Sequence, residues 1–351
     1  GADHLPPKGM IPVSTESSSR TEPHPEQGDR WGPDGLRQHR GHPALAAIQA
    51  AIALGAATLA TIGIWFRGAA GTRVIEGLHG PAEVVTGGLY AGNSAAVVAE
   101  GVGWDVVTLA LAAPLLLGLA VVGARTDGVT RRGSRIALAA AGLLFYVLYQ
   151  YHQYAITYAF GPLLPAFIVL AASALICLLL TLGSLPPLRP TPRYPRRTLI
   201  AIMALVPLAL TGMWAGRIFA ALTDPAARAE TLQHYTTLPV QVMDLVWLVP
   251  LGGLFAVLLA RRHPIGYLGA TILAVKGATM AFAIVAMVIG TAGATGELEI
   301  PGLVMFLAVG MACTYAAVRG ILALEPVTTG ASGKTPPRAG GIDHWGTPSS
   351  S

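Results

Sequence analysis

The chain has 351 residues, 53% of them hydrophobic and 12% charged, with a formal net charge of +5. Soluble domains carry roughly 25% charged residues, so this composition, with its apolar residues in long blocks, excludes an ordinary soluble domain and points to a polytopic membrane protein. The positive charge implies no nucleic-acid partner, because the basic residues collect at the ends of apolar segments, where membrane topology accounts for them.

Residues 1–42 are rich in Pro, Gly, Ser and charge and show no apolar periodicity, so a disordered tail is expected there. They contain no apolar stretch of the signal-peptide kind, and the first hydrophobic block is already of full spanning length. Eight blocks are long enough to cross a ~30 Å hydrocarbon core as helices. They run over 44–66, 104–124, 136–158, 162–185, 198–219, 241–260, 267–291 and 301–323. Residues 68–103 form the one long loop, 186–197 a basic linker, and 325–351 a second tail of the same composition as the first. The lipid bilayer is the expected partner. Cys177 and Cys313 both lie inside apolar blocks, so there is no disulfide framework or metal-type spacing.

Orientation follows from the short connections. Ten arginines lie in 125–135, 186–197 and 261–262, against three in the alternate connections, Arg67, Arg73 and Arg228. The richer side is expected to be cytoplasmic, which puts both tails in the cytoplasm of a cell whose inner, plasma membrane the chain crosses.

The two halves share an order of non-apolar markers. The first span ends in Gly63, Trp65 and then Arg67, and the fifth in Gly212, Trp214 and Arg217. The second opens with Asp105 and carries Pro114, and the sixth opens with Asp244 and carries Pro250, with an arginine eleven residues beyond each proline. Phe167 and Phe306 align the fourth span with the eighth. The expected fold is therefore all-α: a bundle of about eight transmembrane helices built as a 4+4 parallel tandem repeat, spans 1–4 in 43–185 and spans 5–8 in 198–324, related by an axis along the membrane normal.

Candidate functional residues are the polar groups that such spans tolerate only with partners. Arg67 with Asp105, and Arg217 with Asp244, are candidate ion pairs at the outer rim of consecutive spans, and the two aspartates are also candidates for binding a substrate. The stretch "LYQYHQYAITYAFGP", with Tyr146 just ahead of it, puts five of the ten tyrosines into thirteen residues. That cluster extends about 18 Å along a helix, too deep for an interfacial belt. Tyr154 and Tyr158 read as interface anchors, while Tyr146, Tyr149, Gln150 and Gln153 read as bundle interior, with His152 between the two faces. Lys276 stands nine residues into the seventh span, ~14 Å from its inner edge, where a lysine stem of ~6 Å does not reach water. Asp244, the tyrosines or a bound anion are its candidate partners.

His152 has no second membrane-embedded histidine to share a haem. No nucleotide-binding glycine loop, zinc-protease motif, aspartate-rich diphosphate motif or nucleophile elbow is present. No cofactor and no metal are expected.

"YVLYQYHQYAITYAFGPLLPAF" after a basic loop, with "VMDLVWLVPL" and "LLARRHPIGYLGATILAVKGATM" later, resembles an uncharacterised group of bacterial multi-pass membrane proteins over roughly residues 100–290. There a Tyr-rich helix precedes a Phe-Gly turn, and an Asp-Leu helix precedes a Lys-Gly helix. The resemblance implies that Asp105, Tyr149, Asp244 and Lys276 act as a set and carries over no catalytic residue; His152 and the long tails depart from the pattern. The expectation is a transporter or permease-like protein handling a small molecule or ion. The alternatives are an intramembrane enzyme acting on a lipid or isoprenoid, and a structural or assembly protein.

Overall fold

The computed structural model describes residues 43–66 and 71–327. The expected tail over 1–42, the expected tail beyond residue 327, and Arg67 lie outside the described residues. Among the described residues, eight helices are long and apolar enough to cross a membrane: α1 (Pro43–Trp65), α2 (Ala95–Gly123), α3 (Arg131–Thr157), α4 (Leu164–Gly183), α5 (Arg196–Thr223), α7 (Pro239–Ala260), α8 (Pro264–Thr295) and α9 (Ile300–Ala323). A short helix, α6 (Pro225–Leu232), lies between α5 and α7. This architecture is compatible with a multi-pass membrane protein.

Local chemistry starts and stops these helices. Thr130 Oγ1 accepts the Gly133 N–H at 3.0 Å to open α3, and Asp224 Oδ1 accepts the Ala226 N–H at 2.9 Å to open α6. Prolines occupy the first turns of α4, α6, α7, α8 and α9, where a missing N–H costs nothing. At the C-terminal ends, arginines take up free carbonyls. Arg196 donates to Leu259 O at 2.8 Å and to Ala260 O at 2.7 Å, and Arg135 to Leu322 O at 2.8 Å.

Burial is inside out relative to a soluble protein. Leu205, Leu208, Phe219 and Leu222 on α5 are all exposed, a surface that suits lipid rather than water. The centre belongs to α3 and α8, which pack against each other and are the two most buried spans. The helix richest in tyrosine and glutamine is thus the most enclosed, because lipid offers its polar groups nothing and neighbouring helices do.

Within α2 and α7 the hydrogen-bond ladder slips to a wider, π-helical turn, over Thr108–Ala112 and Asp244–Leu248. The Ala113 N–H bonds to Thr108 O and the Val249 N–H to Asp244 O, each five residues back. Each wide turn ends just ahead of a proline, Pro114 and Pro250. A proline donates no hydrogen bond and crowds the carbonyl four residues before it, and widening the turn relieves both problems.

Two stretches depart from the all-α expectation. The loop 68–103 contains an antiparallel hairpin, β1 (Thr72–Gly77) and β2 (Gly80–Val85), and its last nine residues are already helical because Ser94 Oγ accepts the Val97 N–H at 3.3 Å. Residues 325 and 326, expected in a tail, form a short strand, β4 (Leu324–Pro326), paired with β3 (Leu188–Pro190) of the basic linker. Arg131 holds Glu325 there at 3.0 Å.

Three connections at the opposite end meet at Asn93, which is 1% exposed. Its Oδ1 accepts the Ala159 N–H at 2.8 Å and the Tyr235 hydroxyl at 3.2 Å, and its Nδ2 donates to Tyr90 O at 3.0 Å.

Candidate functional site

The tyrosines of α3 reach in different directions, to α1, α2 and α7. The Tyr151 hydroxyl donates to Ala56 O of α1 at 3.0 Å. Tyr146 and Gln150 meet Thr108 of α2: Thr108 Oγ1 lies 3.0 Å from the Tyr146 hydroxyl and 2.6 Å from Gln150 Oε1. Gln150 Nε2 donates in turn to the Tyr154 hydroxyl at 3.3 Å. Tyr149 points the other way, and its hydroxyl donates to Asp244 Oδ1 in the wide turn of α7.

Two buried carboxylates result. Asp105, 1% exposed, accepts from Tyr90 at 2.9 Å on one oxygen and faces the Tyr154 hydroxyl at 3.1 Å with the other. Gly63 of α1 makes room for this cluster: a Cβ there would stand 2.0 Å from Asp105 Oδ2 and 2.4 Å from the Tyr90 hydroxyl. Tyr90 lies outside the spans, and burial first, then the neighbouring Asp105 carboxylate, push its phenol well above the ordinary range. It therefore stays a proton donor to Asp105. Asp244, 5% exposed, accepts from Tyr149 on one oxygen and from Trp214 Nε1 at 2.8 Å on the other.

Trp104, the residue before Asp105, lies between the clusters. Its ring stacks near Tyr146 and Tyr149 at centroid distances of 6.0 Å and 6.3 Å.

Lys276 completes the second cluster. It is 1% exposed, and its Nζ sits 3.8 Å from the centroid of the Tyr149 ring. Among the described residues that nitrogen has no hydrogen-bond partner. The ring face stabilises a cation but supplies no lone pair. Lys276 and Asp244 are also the charged residues in the wall of a cavity of about 100 Å³ between α5, α7, α8 and α9, a wall otherwise almost wholly apolar.

The structure thus brings Tyr149, Asp244 and Lys276 together and gathers Tyr146, Gln150 and Asp105 into a second network. Gln153 is buried but outside both, its Oε1 without a partner among the described residues. His152 is half-buried, edge-on to Trp247 with ring centroids 6.3 Å apart, and joins neither network. The expected ion pair between Arg217 and Asp244 is corrected: Arg217 is exposed, and the hydrogen bonds to Asp244 come from Trp214 and Tyr149. Two neutral donors supply the hydrogen bonds of the carboxylate, and the cation of its cluster is the buried Lys276 rather than Arg217. The partner proposed for Asp105, Arg67, lies outside the described residues, and Asp105 is held by tyrosines. Tyr154, expected at the interface, is 3% exposed and part of the Asp105 cluster.

Sequence reasoning missed Tyr90, Trp104, Thr108 and Trp214 as members of the site. Trp214 carried the one usable signal, its place in a Gly-x-Trp marker at the end of the span before Asp244; the others are joined by contacts that no local spacing encodes. Among the described residues no group of three His, Cys, Asp or Glu side chains gathers as around a metal ion. Comparisons with protein-family models, with curated proteins and with solved structures gave no match to this chain.

Proposed function

We propose that the protein is a permease-like membrane protein that handles a small molecule or ion at the Tyr149, Asp244 and Lys276 site. The observation that carries this reading is Lys276, an amine buried at the wall of a cavity with no acceptor of its own among the described residues. A lysine is costly to hold at such depth, and one without an acceptor leaves room for a ligand to supply it. The wide turn of α7 frees backbone geometry beside the same cavity, as discontinuous helices do in known transporter architectures.

The reading includes two halves, α1–α4 and α5 with α7–α9, in the same orientation. In favour of it, each half carries an aspartate at or just before a wide turn, a proline two residues after that turn, and its most buried span in third place. The three arginine-rich connections, and with them both termini, are placed on the cytoplasmic face.

The test is solute flux into proteoliposomes together with mass spectrometry of the purified protein for a retained small molecule. Flux is expected for the parent protein and at least tenfold less for Lys276→Ala at equal folded yield. Parent-level activity of a folded Lys276→Ala, or a retained lipid reaction product in place of flux, refutes the transport reading.

A further inference from the structure

We infer that the cavity between α5, α7, α8 and α9 binds a short-chain monocarboxylate, its carboxylate on Lys276 and its hydrocarbon against the apolar wall. The inference rests on the site assigned above and names its ligand class. The charge pattern decides the head group. Asp244 already accepts one hydrogen bond on each oxygen, from Trp214 and Tyr149, so about half of its acceptor capacity is used. Lys276 has three N–H donors and no acceptor among the described residues. A cationic ligand would meet the ammonium unfavourably and find the carboxylate already partly satisfied, whereas an anion supplies the acceptor that Lys276 lacks. A carboxylate oxygen accepting from a buried ammonium makes a charge-assisted hydrogen bond of the strong kind.

The wall decides the remainder of the molecule. Val206 and Leu210 of α5, Met280 of α8 and Phe306 of α9 offer hydrocarbon and no hydrogen bond. A multiply charged or polyhydroxylated ligand would leave polar groups unmatched against this wall, at the cost of their desolvation. A single carboxylate with an alkyl body leaves none. Size sets the chain length: a cavity of about 150 Å³ accepts benzene, so about 100 Å³ accommodates a chain of roughly four carbons. The same chemistry is shared by water-soluble short acids and by membrane fatty acids, and the volume favours the former.

The experiment is titration calorimetry of the full chain in nanodiscs with butanoate, butan-1-ol, butylammonium, chloride and hexadecanoate. Butanoate is expected to bind saturably and at least tenfold more tightly than the alcohol, the amine or chloride. Lys276→Met should weaken it at least tenfold. Val309→Phe, which fills the cavity and leaves Lys276 in place, should do the same in a protein whose monodispersity and helicity match the parent. Equal binding of butylammonium, butanol or chloride overturns the inference, and so does undiminished binding to a folded Val309→Phe. Binding of hexadecanoate without butanoate overturns the short-chain assignment and places the source in the membrane. Butanoate that binds but is not carried across proteoliposomes refutes the transport reading and leaves this inference standing. Flux of another solute without butanoate binding does the reverse.

Discussion

The two aspartates show how a buried carboxylate is kept by neutral donors, and the donors are unequal. Tyr90 gives Asp105 one hydrogen bond at 2.9 Å, whereas Tyr154 touches Asp105 at 3.1 Å, Gly101 O at 2.9 Å and Gln150 at 3.3 Å. Removing one partner from a buried polar group costs about 1–3 kcal/mol. Tyr90→Phe is therefore expected to lower stability by about 1–2 kcal/mol, and Tyr154→Phe by about 2–4 kcal/mol because it strips three groups at once. The double variant should depart from additivity by at least about 0.5 kcal/mol, since both hydroxyls serve one carboxylate. Thermal unfolding of purified protein measures all three; a Tyr90→Phe cost equal to that of Tyr154→Phe contradicts the shared network. At this scale the sequence was partly legible. Asp105, Tyr149, Asp244 and Lys276 stand out because charge and phenol are rare in apolar helices, but Tyr90 arrives from fifteen residues before Asp105 through a loop whose path no pattern encodes.

At the scale of elements, close helix approach is what seats α2 beside the central helices. A Cβ at Gly103 would fall 2.5 Å from Met287 N and 2.6 Å from its Cα on α8, and backbone atoms cannot swing aside as a side chain does. Gly103→Ala should therefore force α2 away from α8, with overpacking costs of about 1–3 kcal/mol or more, and shift Trp104 off the Tyr149 ring. Gly118 in the same helix has nothing within 4 Å of its Cβ position, so Gly118→Ala should be neutral or stabilising by up to about 1 kcal/mol. Comparison of the two variants in one unfolding assay tests the packing directly; equal effects would mean that α2 and α8 are not in contact as described. The eight helices were readable from block length alone, yet their local character was less so. Pro114 and Pro250 were visible in the sequence as markers, but whether a proline kinks, ends or widens a helix depends on which neighbour holds the freed carbonyls. The hairpin of 72–85 was invisible for a related reason: β1 is nearly all exposed, so it lacks the buried alternation that announces a strand.

At the scale of the whole molecule, the arginines that set the proposed orientation also do structural work. Arg135 and Arg196 cap the ends of α9 and α7, and Arg131 binds Glu325, so three of the ten counted charges are tied down in the folded bundle. The positive-inside bias, however, acts on Lys and Arg near the ends of spans during insertion, before those contacts exist. All ten should therefore still count, and the bias of ten against three holds. Labelling of single cysteines in intact cells by a membrane-impermeant maleimide checks this, with Cys177 and Cys313, both buried, replaced by alanine. Val129→Cys, in the exposed connection between α2 and α3, should react only after the cells are opened, and Leu298→Cys, between α8 and α9, should react in intact cells. Labelling of both positions from outside would break the odd number of spans between them, the five helices α3, α4, α5, α7 and α8, and with it the eight-helix count. The inverted pattern would keep the bundle and reverse its direction, putting the Tyr90 and Asn93 layer on the cytoplasmic side and the arginine caps outside.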